Sequence, residues 1–282
     1  FMNFFNSDLT LNHVDVLYPP IAFSIGLIFF FLLVRKIFDY RIALLASFLL
    51  TVIPTFLYRT MAGFSDKEAL ATMFMFMALY FFFSAWKSKN FRNSMILAVL
   101  AGISNGLMAL SWGGVQFIYV SIGLFMLVVV LLGKLTKRHL IVYTIWMVFT
   151  FGVTDIFSGR YNVLDIINST SSGIAILAFV SALLSYFIYD KNLLNVKEKL
   201  EKYPRALVLI LLTVIITFIA GISIKGLGFF YKEIYETLYY LSNPFGRTRW
   251  ALTVAESHQP YIRDWIGNFG LKYVMMVIIG SV

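Results

Sequence analysis

The segment from Arg59 to Glu68 holds the side chains of this chain whose chemistry is most distinctive. Asp66 and Glu68 are two carboxylates separated by one residue, and Arg59 lies shortly before them. Apolar stretches long enough to cross a bilayer flank the segment on both sides. A charged side chain at the bilayer centre costs about 2.5–3.5 kcal/mol on insertion scales, so such charges stay at interfaces or are retained for function. The segment is therefore a candidate site.

Paired carboxylates of this kind can bind a hard divalent cation. On a regular helix Asp66 and Glu68 would point apart, but in an extended or turn backbone they can converge on one ion, and Gly63 permits such a backbone. Carboxylate oxygens suit Mg²⁺ or Mn²⁺ better than zinc. The alternative is that both acids only favour the positive N-terminus of a helix that starts near residue 67. Arg59 can pair with them, bind an anionic group such as phosphate, or anchor the chain at the interface.

Further candidate residues lie far downstream in the chain. Glu256, in Thr-Val-Ala-Glu, is a natural third metal ligand if its loop folds back across the membrane surface. His258 can be a ligand, a hydrogen-bond donor or a plain surface residue. Arg249 can contact a phosphate or a peptide, or be an ordinary loop charge. Asn168 begins Asn-Ser-Thr, which is a glycosylation acceptor sequence or an unmodified loop segment.

The composition is that of a membrane protein. The 282 residues are 60% hydrophobic and only 13% charged, whereas soluble domains have about 45–50% and about 25%. Helices are expected, because backbone polar groups inside lipid must be paired within the segment. The sequence predicts an all-α, polytopic transmembrane helix bundle with about nine spans, each long enough for a hydrocarbon core of about 30 Å. The predicted spans are residues 17–34, 40–56, 69–86, 94–110, 114–132, 139–156, 172–189, 205–222 and 268–282.

The distribution of positive charge predicts the orientation of these spans. Most of the 23 Lys and Arg residues collect in alternate loops, and the intervening short loops hold only Arg59, Lys67 and Arg160. The positive-inside rule places the basic loops in the cytoplasm and both acidic motifs outside. The net charge of +9 is explained by this topology, and we expect no nucleic-acid partner. The segments expected outside are 1–16, 57–68, 111–113, 157–171 and 223–267.

Three segments together resemble the catalytic subunit of oligosaccharyltransferase, in its archaeal form. They are Tyr58–Glu68, Ser111–Gly114 and Thr253–Pro260. The first resembles the second acidic metal motif of that family, and the last resembles the motif written Thr-Ile-x-Glu in prokaryotes and Ser-Val-Ser-Glu in eukaryotes. Their order, spacing and predicted outer placement match the family, and the resemblance covers essentially the whole chain.

The resemblance implies a GT-C glycosyltransferase membrane domain. Such an enzyme transfers an oligosaccharide from a polyprenyl or dolichyl phosphate carrier to Asn in Asn-x-Ser/Thr of an acceptor protein. Asp66, Glu68 and Glu256 would hold Mg²⁺ or Mn²⁺, with Asp66, Glu256 and Arg59 in catalytic roles. Glu256 and His258 would contact the acceptor, and Arg59 and Arg249 the donor phosphate. The protein would be multi-pass, with its active site on the extracytoplasmic side, in the cell membrane if archaeal.

The resemblance also organises the chain into parts. Residues 1–16 would end an outer loop, and 17–222 would be transmembrane helices with short loops. Residues 223–267 would form a long, mobile outer loop that closes over the acceptor, and 268–282 would start a further transmembrane helix.

Three features depart from the family pattern. Residues 1–16 do not show the first acidic motif, and the Trp-Trp-Asp-Tyr-Gly motif of a C-terminal soluble domain is absent. Ser257 also separates Glu256 from His258, which adjoin in many relatives. We therefore expect a central membrane fragment of a larger protein that is inactive on its own. Because the chain has no Cys, disulfides and thiolate metal sites are excluded.

Two other functions remain open from the sequence. One is another polyprenyl-phosphate-sugar glycosyltransferase, with a protein hydroxyl or a lipid as acceptor. The other, from a different class, is a membrane transporter in which Asp66, Glu68 and Glu256 are ion or proton sites. Transporters place such residues near the bilayer midplane, often in inverted repeats. Here the acids are predicted at the outer surface and no repeat is evident, which argues against transport.

Overall fold

The computed structural model describes residues 10–159, 169–192, 202–226 and 261–280, together with residues 166, 198, 228, 231, 235, 236, 238, 239 and 242. Within these residues the regular elements are helices and none is a strand, as the apolar sequence predicts. The structure also contains a short 3₁₀ turn at Gly113–Val115 and a short π-helical turn at Tyr186–Asp190. The helices are α1 (Leu11–Ile37), α2 (Tyr40–Thr51), α3 (Pro54–Thr60), α4 (Lys67–Lys87), α5 (Phe91–Ser111), α6 (Gln116–Leu131), α7 (Lys137–Phe157), α8 (Thr170–Ser185), α9 (Arg205–Lys225), α10 (Ile262–Phe269) and α11 (Leu271–Gly280).

The helices agree closely with the predicted spans. Within the described residues, 7 helices are long and apolar enough to cross a membrane, and α2 with α3 would make an eighth span bent by 68°. The predicted span 40–56 is therefore broken, and Pro54 begins α3 instead of ending a span. Proline suits a first helical turn because its missing N–H would have no partner there. The last predicted span is represented by α11, which has only 10 residues.

Helix α1 begins at Leu11, earlier than the predicted start at residue 17. It continues through Pro19 and Pro20, and the Ser24 hydroxyl donates a 2.8 Å hydrogen bond to the Pro20 carbonyl. Such a bond from a hydroxyl to a carbonyl of the preceding turn is common for serine within a helix. Residues 11–16 are thus helical, and they extend the span toward the candidate site.

The contacts divide the chain into two compact units, residues 1–52 with 56–213 and residues 53–55 with 214–282. In the first unit α4 packs against α1 and α5, α5 packs against α7, and α8 packs against α6 and α7. Trp146, Tyr143 and Phe82 are fully buried there, and the rings of Phe82 and Trp146 meet edge to face with centroids 5.8 Å apart. This aromatic core holds the helix that carries the candidate acids.

Small residues bring α5 and α7 into close contact. A Cβ added at Gly102 would lie 2.5 Å from Phe149 Cβ, and one at Gly106 would lie 2.6 Å from Val153 Cβ. Between these levels the Asn105 amide donates to the Thr150 hydroxyl at 3.4 Å. Lipid provides no hydrophobic drive for helix association, so van der Waals contact between close backbones is what stabilises such a pair.

In the second unit α10 and α11 pack against each other. The Asp264 carboxylate accepts a 2.8 Å hydrogen bond from the Tyr261 backbone amide and so caps α10. The Thr55 hydroxyl donates to the Asn268 carbonyl. An apolar cavity of about 500 Å³ lies in this unit, lined by Ile53, Ile262, Trp265, Phe269, Tyr273, Val274, Val277 and Ile278.

Candidate active site at the start of helix α4

A tight loop carries the chain from α3 to α4 and delivers Asp66 to the start of α4. Gly63 has a φ of +81°, a conformation in which a side chain would be strained. The Phe64 amide donates to the Met61 carbonyl at 3.2 Å, and the Asp66 amide donates to the Phe64 carbonyl at 3.0 Å. The irregular backbone that the glycine permits is therefore present immediately before the acids.

Asp66 occupies the N-cap position of α4, with φ −113° and ψ 141°. Its carboxylate makes no capping hydrogen bond to the helix amides, although Asp is a strong capping residue. The carboxylate forms an ion pair with Arg59 instead, through Oδ2 and Nη1. The helix-terminus explanation accounts for where Asp66 lies but not for the direction of its side chain.

Glu68 lies in the first turn of α4 and turns to the same arginine. Its Oε2 is 3.3 Å from Arg59 Nε. One guanidinium group thus bridges both carboxylates, because the extended backbone at Asp66 offsets the two side chains that a continuous helix would separate. The structure brings together Arg59, Asp66 and Glu68, which the sequence analysis had selected.

The cluster is open to solvent. The side chains of Arg59, Asp66 and Glu68 are 39%, 23% and 29% exposed. Ion pairs with this exposure are worth about 1 kcal/mol or less, since water screens the charges and the long side chains lose entropy. The Phe64 ring, whose centroid is 5.8 Å from Arg59 Cζ, adds a weak cation–π contact. The charges are therefore accessible to a ligand and only loosely fixed.

Helix α1 supplies two contacts that the sequence analysis did not select. The Tyr18 hydroxyl donates a 2.6 Å hydrogen bond to the Asp66 carbonyl, and Asp15 accepts a 3.0 Å hydrogen bond from the Ser65 hydroxyl. Both contacts join residues about fifty positions apart, so no local spacing could have indicated them. They fix the loop against α1 and leave the Asp66 carboxylate free for Arg59.

A small cavity of about 130 Å³ lies beside the 3₁₀ turn at Gly113–Val115. Hydroxyl groups of Thr154, Ser169 and Ser172 contribute to its wall, and each has a hydrogen-bond partner within the protein. Its full lining is Ala109, Gly113, Val115, Gln116, Tyr119, Thr154, Ile166, Ser169 and Ser172.

Several selected residues lie outside the described part of the chain. These are Arg249, Glu256, His258 and Asn168. Most of the predicted loop 223–267 lies outside it as well. Their predicted roles stay predictions.

The chemistry of the two described acids fits a hard divalent cation. Asp66 and Glu68 each direct a carboxylate oxygen at one cationic group, and oxygen ligands are the ones that Mg²⁺ and Mn²⁺ prefer. Within the described residues, no group of three or more Asp, Glu, His or Cys side chains is close enough to hold a metal ion. Asp66 and Glu68 would thus be two ligands of a site that needs others.

The fold and the cluster define a multi-pass membrane protein with a charged site at the start of one helix. Residues 1–248 match the model of the family described as oligosaccharyl transferase STT3, N-terminal. Since the match covers most of the chain, the protein belongs to this family.

Two relatives are similar in sequence to part of the chain. The dolichyl-phosphooligosaccharide-protein glycotransferase 3 of Archaeoglobus fulgidus is 33% identical over 113 residues, which are 37% of this chain and 13% of the relative. Subunit STT3 of the dolichyl-diphosphooligosaccharide–protein glycosyltransferase of Saccharomyces cerevisiae is 26% identical over 144 residues, 51% of this chain and 20% of the relative. The matched segments are thus a minor part of either relative.

Solved structures show the same fold over nearly the whole chain. The archaeal oligosaccharyltransferase AglB of Archaeoglobus fulgidus, with an inhibitory peptide and a dolichol-phosphate, superposes with a TM-score of 0.70 at 22% identity, over 98% of this chain and 34% of that protein. A crystal structure of an oligosaccharyltransferase of the same organism, in complex with zinc and sulfate, has a TM-score of 0.61 at 25% identity, over 86% of this chain and 33% of that protein. The chain spans about a third of their length.

Proposed function

We propose that this chain is the membrane part of an oligosaccharyltransferase catalytic subunit. The complete enzyme would transfer an oligosaccharide from a polyprenyl or dolichyl phosphate carrier to the side-chain amide of Asn in Asn-x-Ser/Thr. The observation that carries the proposal is the convergence of Arg59, Asp66 and Glu68 at the start of α4 in a bundle of the STT3 family. Membership of that family favours this reaction over other polyprenyl-phosphate transfers and over transport.

The two acids are proposed as ligands of Mg²⁺ or Mn²⁺, with Glu256 as a third. Bound at this site, the cation would withdraw charge from the carrier phosphate and so make it a better leaving group. The similar protein solved in complex with zinc and sulfate supports a site of this kind, since that complex contains a divalent cation and a phosphate-like anion.

The remaining selected residues would orient the two substrates. Arg59 and Arg249 would hold the donor phosphate, because a guanidinium binds such oxygens bidentately. Glu256 and His258 would contact the acceptor, and a carboxylate on the amide hydrogens would loosen the delocalisation that makes amide nitrogen a poor nucleophile. A loop over residues 223–267 that closes on the acceptor would align the substrates and exclude the water that otherwise hydrolyses the donor.

The site is proposed to lie on the extracytoplasmic face of the membrane. The alternate basic loops carry this proposal through the positive-inside rule. The chain has no native Cys, so single cysteines can report sidedness in intact cells. Ala62→Cys, beside the cluster, should react with an impermeant thiol reagent added outside, whereas Lys134→Cys, in the α6–α7 loop, should react only after the cells are opened. Both positions are exposed, so accessibility does not bias the pair. Labelling of both from the same side contradicts this orientation.

The metal role is tested by turnover in the full-length protein that contains this chain. Asp66→Asn should lower the rate of glycan transfer to a sequon peptide by about 10²-fold or more, since one lost electrostatic contact to developing charge is worth roughly 2.7–4 kcal/mol. Asp39→Asn is the matched control, because Asp39 caps α2 away from the cluster and Asn caps as well. Equal turnover in the two variants excludes the assignment of Asp66. A peptide with Gln in place of the acceptor Asn should receive no glycan.

A further inference from the structure

We propose that Arg59 is a tethered counter-ion of the acidic pair that competes with the divalent cation for Asp66 and Glu68. The inference rests on the proposed metal role of these two acids. It adds that the Arg59 guanidinium occupies the two acids when no metal ion is bound, and that it must withdraw before a metal ion can bind there.

The geometry of the ion pairs places Arg59 in competition with a bound cation. Arg59 engages Asp66 Oδ2 through Nη1 and Glu68 Oε2 through Nε, so one planar group lies against both carboxylates. A divalent cation shared by Asp66 and Glu68 needs lone pairs on the same two carboxylates. Because two cations close together repel each other, Arg59 and the metal ion compete for these two acids.

The surroundings of Arg59 allow it to withdraw. Its side chain is 39% exposed, and it lies in the last turn of the seven-residue helix α3. Apart from the two ion pairs, its recorded contact is the weak cation–π contact with Phe64. A guanidinium that is partly hydrated already regains little water on leaving, so the ion pairs resist displacement only modestly. The C-terminal end of α3 also stabilises a nearby cation after it has left the acids.

The arrangement has a clear physical benefit whenever the two acids hold no metal ion. Two carboxylates held together without a cation repel each other. The Arg59 guanidinium offsets this repulsion and holds both carboxylates close together, at the expense of metal affinity. The counter-ion lies at the end of α3, on the other side of the short loop from the acids.

Metal affinity in the full-length protein tests the proposal without any turnover measurement. Titration with Mn²⁺ alone can be followed by calorimetry or by the electron paramagnetic resonance signal of free Mn²⁺. Arg59→Gln should bind Mn²⁺ about 3- to 10-fold more tightly, because the metal ion no longer has to break a partly exposed, charge-assisted ion pair. Arg41→Gln should bind Mn²⁺ as the wild type does, because the Arg41 side chain is paired with its neighbour Tyr40 and, among the described residues, with no carboxylate. Arg59→Lys keeps the charge but loses the planar fork, so it should show an increase of about twofold.

The outcomes separate the two proposals. Unchanged or weaker Mn²⁺ affinity in both Arg59→Gln and Arg59→Lys, with affinity lost in Asp66→Asn, overturns the competition and leaves the metal site standing. If Asp66→Asn binds Mn²⁺ as tightly as the wild type, the metal role itself fails and this inference fails with it. Arg59→Lys decides the question if Arg59→Gln does not fold.

A second readout follows Arg59 directly. An arginine-specific reagent such as phenylglyoxal should modify Arg59 several-fold faster when Mn²⁺ is bound, while Arg41 reacts at an unchanged rate. The modified peptides are quantified by mass spectrometry. Equal modification of Arg59 with and without Mn²⁺ means that the guanidinium does not move, and this contradicts the proposal.

Discussion

Two arginines in the same compact unit, Arg59 and Arg205, differ in the charge of their partners. Arg59 ends α3 and pairs with two carboxylates. Arg205 begins α9 and donates a 2.8 Å hydrogen bond to the Ser185 hydroxyl, while its Cζ lies 4.4 Å from the centroid of the Tyr189 ring. Neither of the ion pairs found among the described residues includes Arg205. Its Nε is buried and has no hydrogen-bond partner there.

This difference indicates which of the two arginines a metal ion could replace. The partners of Arg59 are anions that another cation can also bind, so the contact can be replaced without leaving either carboxylate unpaired. The partners of Arg205 are a hydroxyl and a ring face, which bind a guanidinium well but are poor ligands for Mg²⁺ or Mn²⁺. We infer that Arg59 serves the site, whereas Arg205 joins the start of α9 to the end of α8.

The largest expected effect separates the two arginines by activity. At saturating Mn²⁺, Arg59→Ala in the full-length protein should lower the rate of glycan transfer about 10-fold or more, because a charge-assisted contact is worth about 1.5–3 kcal/mol. Arg205→Ala, corrected for the folded fraction, should stay within about twofold, since it touches no group of the proposed site. Initial rates with a sequon peptide measure both. Similar losses in the two variants would break the comparison.

Stability should show the reverse order. Arg205→Ala loses a hydrogen bond and a cation–π contact, and we expect a decrease in the free energy of unfolding of about 1–2 kcal/mol. Arg59→Ala should cost less than about 1 kcal/mol, the usual worth of part-exposed ion pairs. Thermal unfolding in detergent gives the comparison, with Lys202→Ala as a control at an exposed position next to α9. A larger loss of stability in Arg59→Ala than in Arg205→Ala would mean that Arg59, and not Arg205, has the structural role.

The sequence predicted the fold better than it predicted the site. Hydropathy located the spans because each must match the thickness of the bilayer, an effect that needs no knowledge of neighbours. The same signal missed the 68° bend between α2 and α3, since both halves are apolar and only Pro54 marks the break. It also placed the start of α1 too late, because residues 11–16 include polar side chains that a helix accepts outside lipid.

For the site, the sequence indicated the members but not their arrangement. Arg59, Asp66 and Glu68 were selected from residue type and spacing, and pairing of Arg59 with the acids was one of three options. The structure confirms the pairing, because the left-handed Gly63 and the extended Asp66 bring the side chains together. Tyr18 and Asp15 could not be selected, since their contacts depend on how α1 packs against α4.

A smaller effect tests how firmly α1 holds the acidic loop. Tyr18→Phe removes the hydrogen bond to the Asp66 carbonyl and nothing else, so about 1 kcal/mol of local stability should be lost. Backbone amides of residues 63–66 should then exchange hydrogen about fivefold faster in mass-spectrometric measurements, which is the rate equivalent of that energy. Tyr40→Phe is the matched control on α2. Unchanged exchange in Tyr18→Phe would mean that the two ion pairs alone position the loop.

The smallest expected effect concerns Asp15, the carboxylate that α1 brings to Ser65. Asp15 is exposed, and its recorded contact is with Ser65 and not with Arg59. It should therefore act on a bound cation only through screened, longer-range attraction, and Asp15→Asn should weaken Mn²⁺ binding by no more than about twofold at physiological salt. The effect should shrink further as salt is raised. Ser65→Ala, which keeps the Asp15 carboxylate, should leave the Mn²⁺ affinity unchanged. A tenfold loss of affinity in Asp15→Asn that persists in high salt would instead make Asp15 a metal ligand, and the acidic site would then extend from α4 to α1.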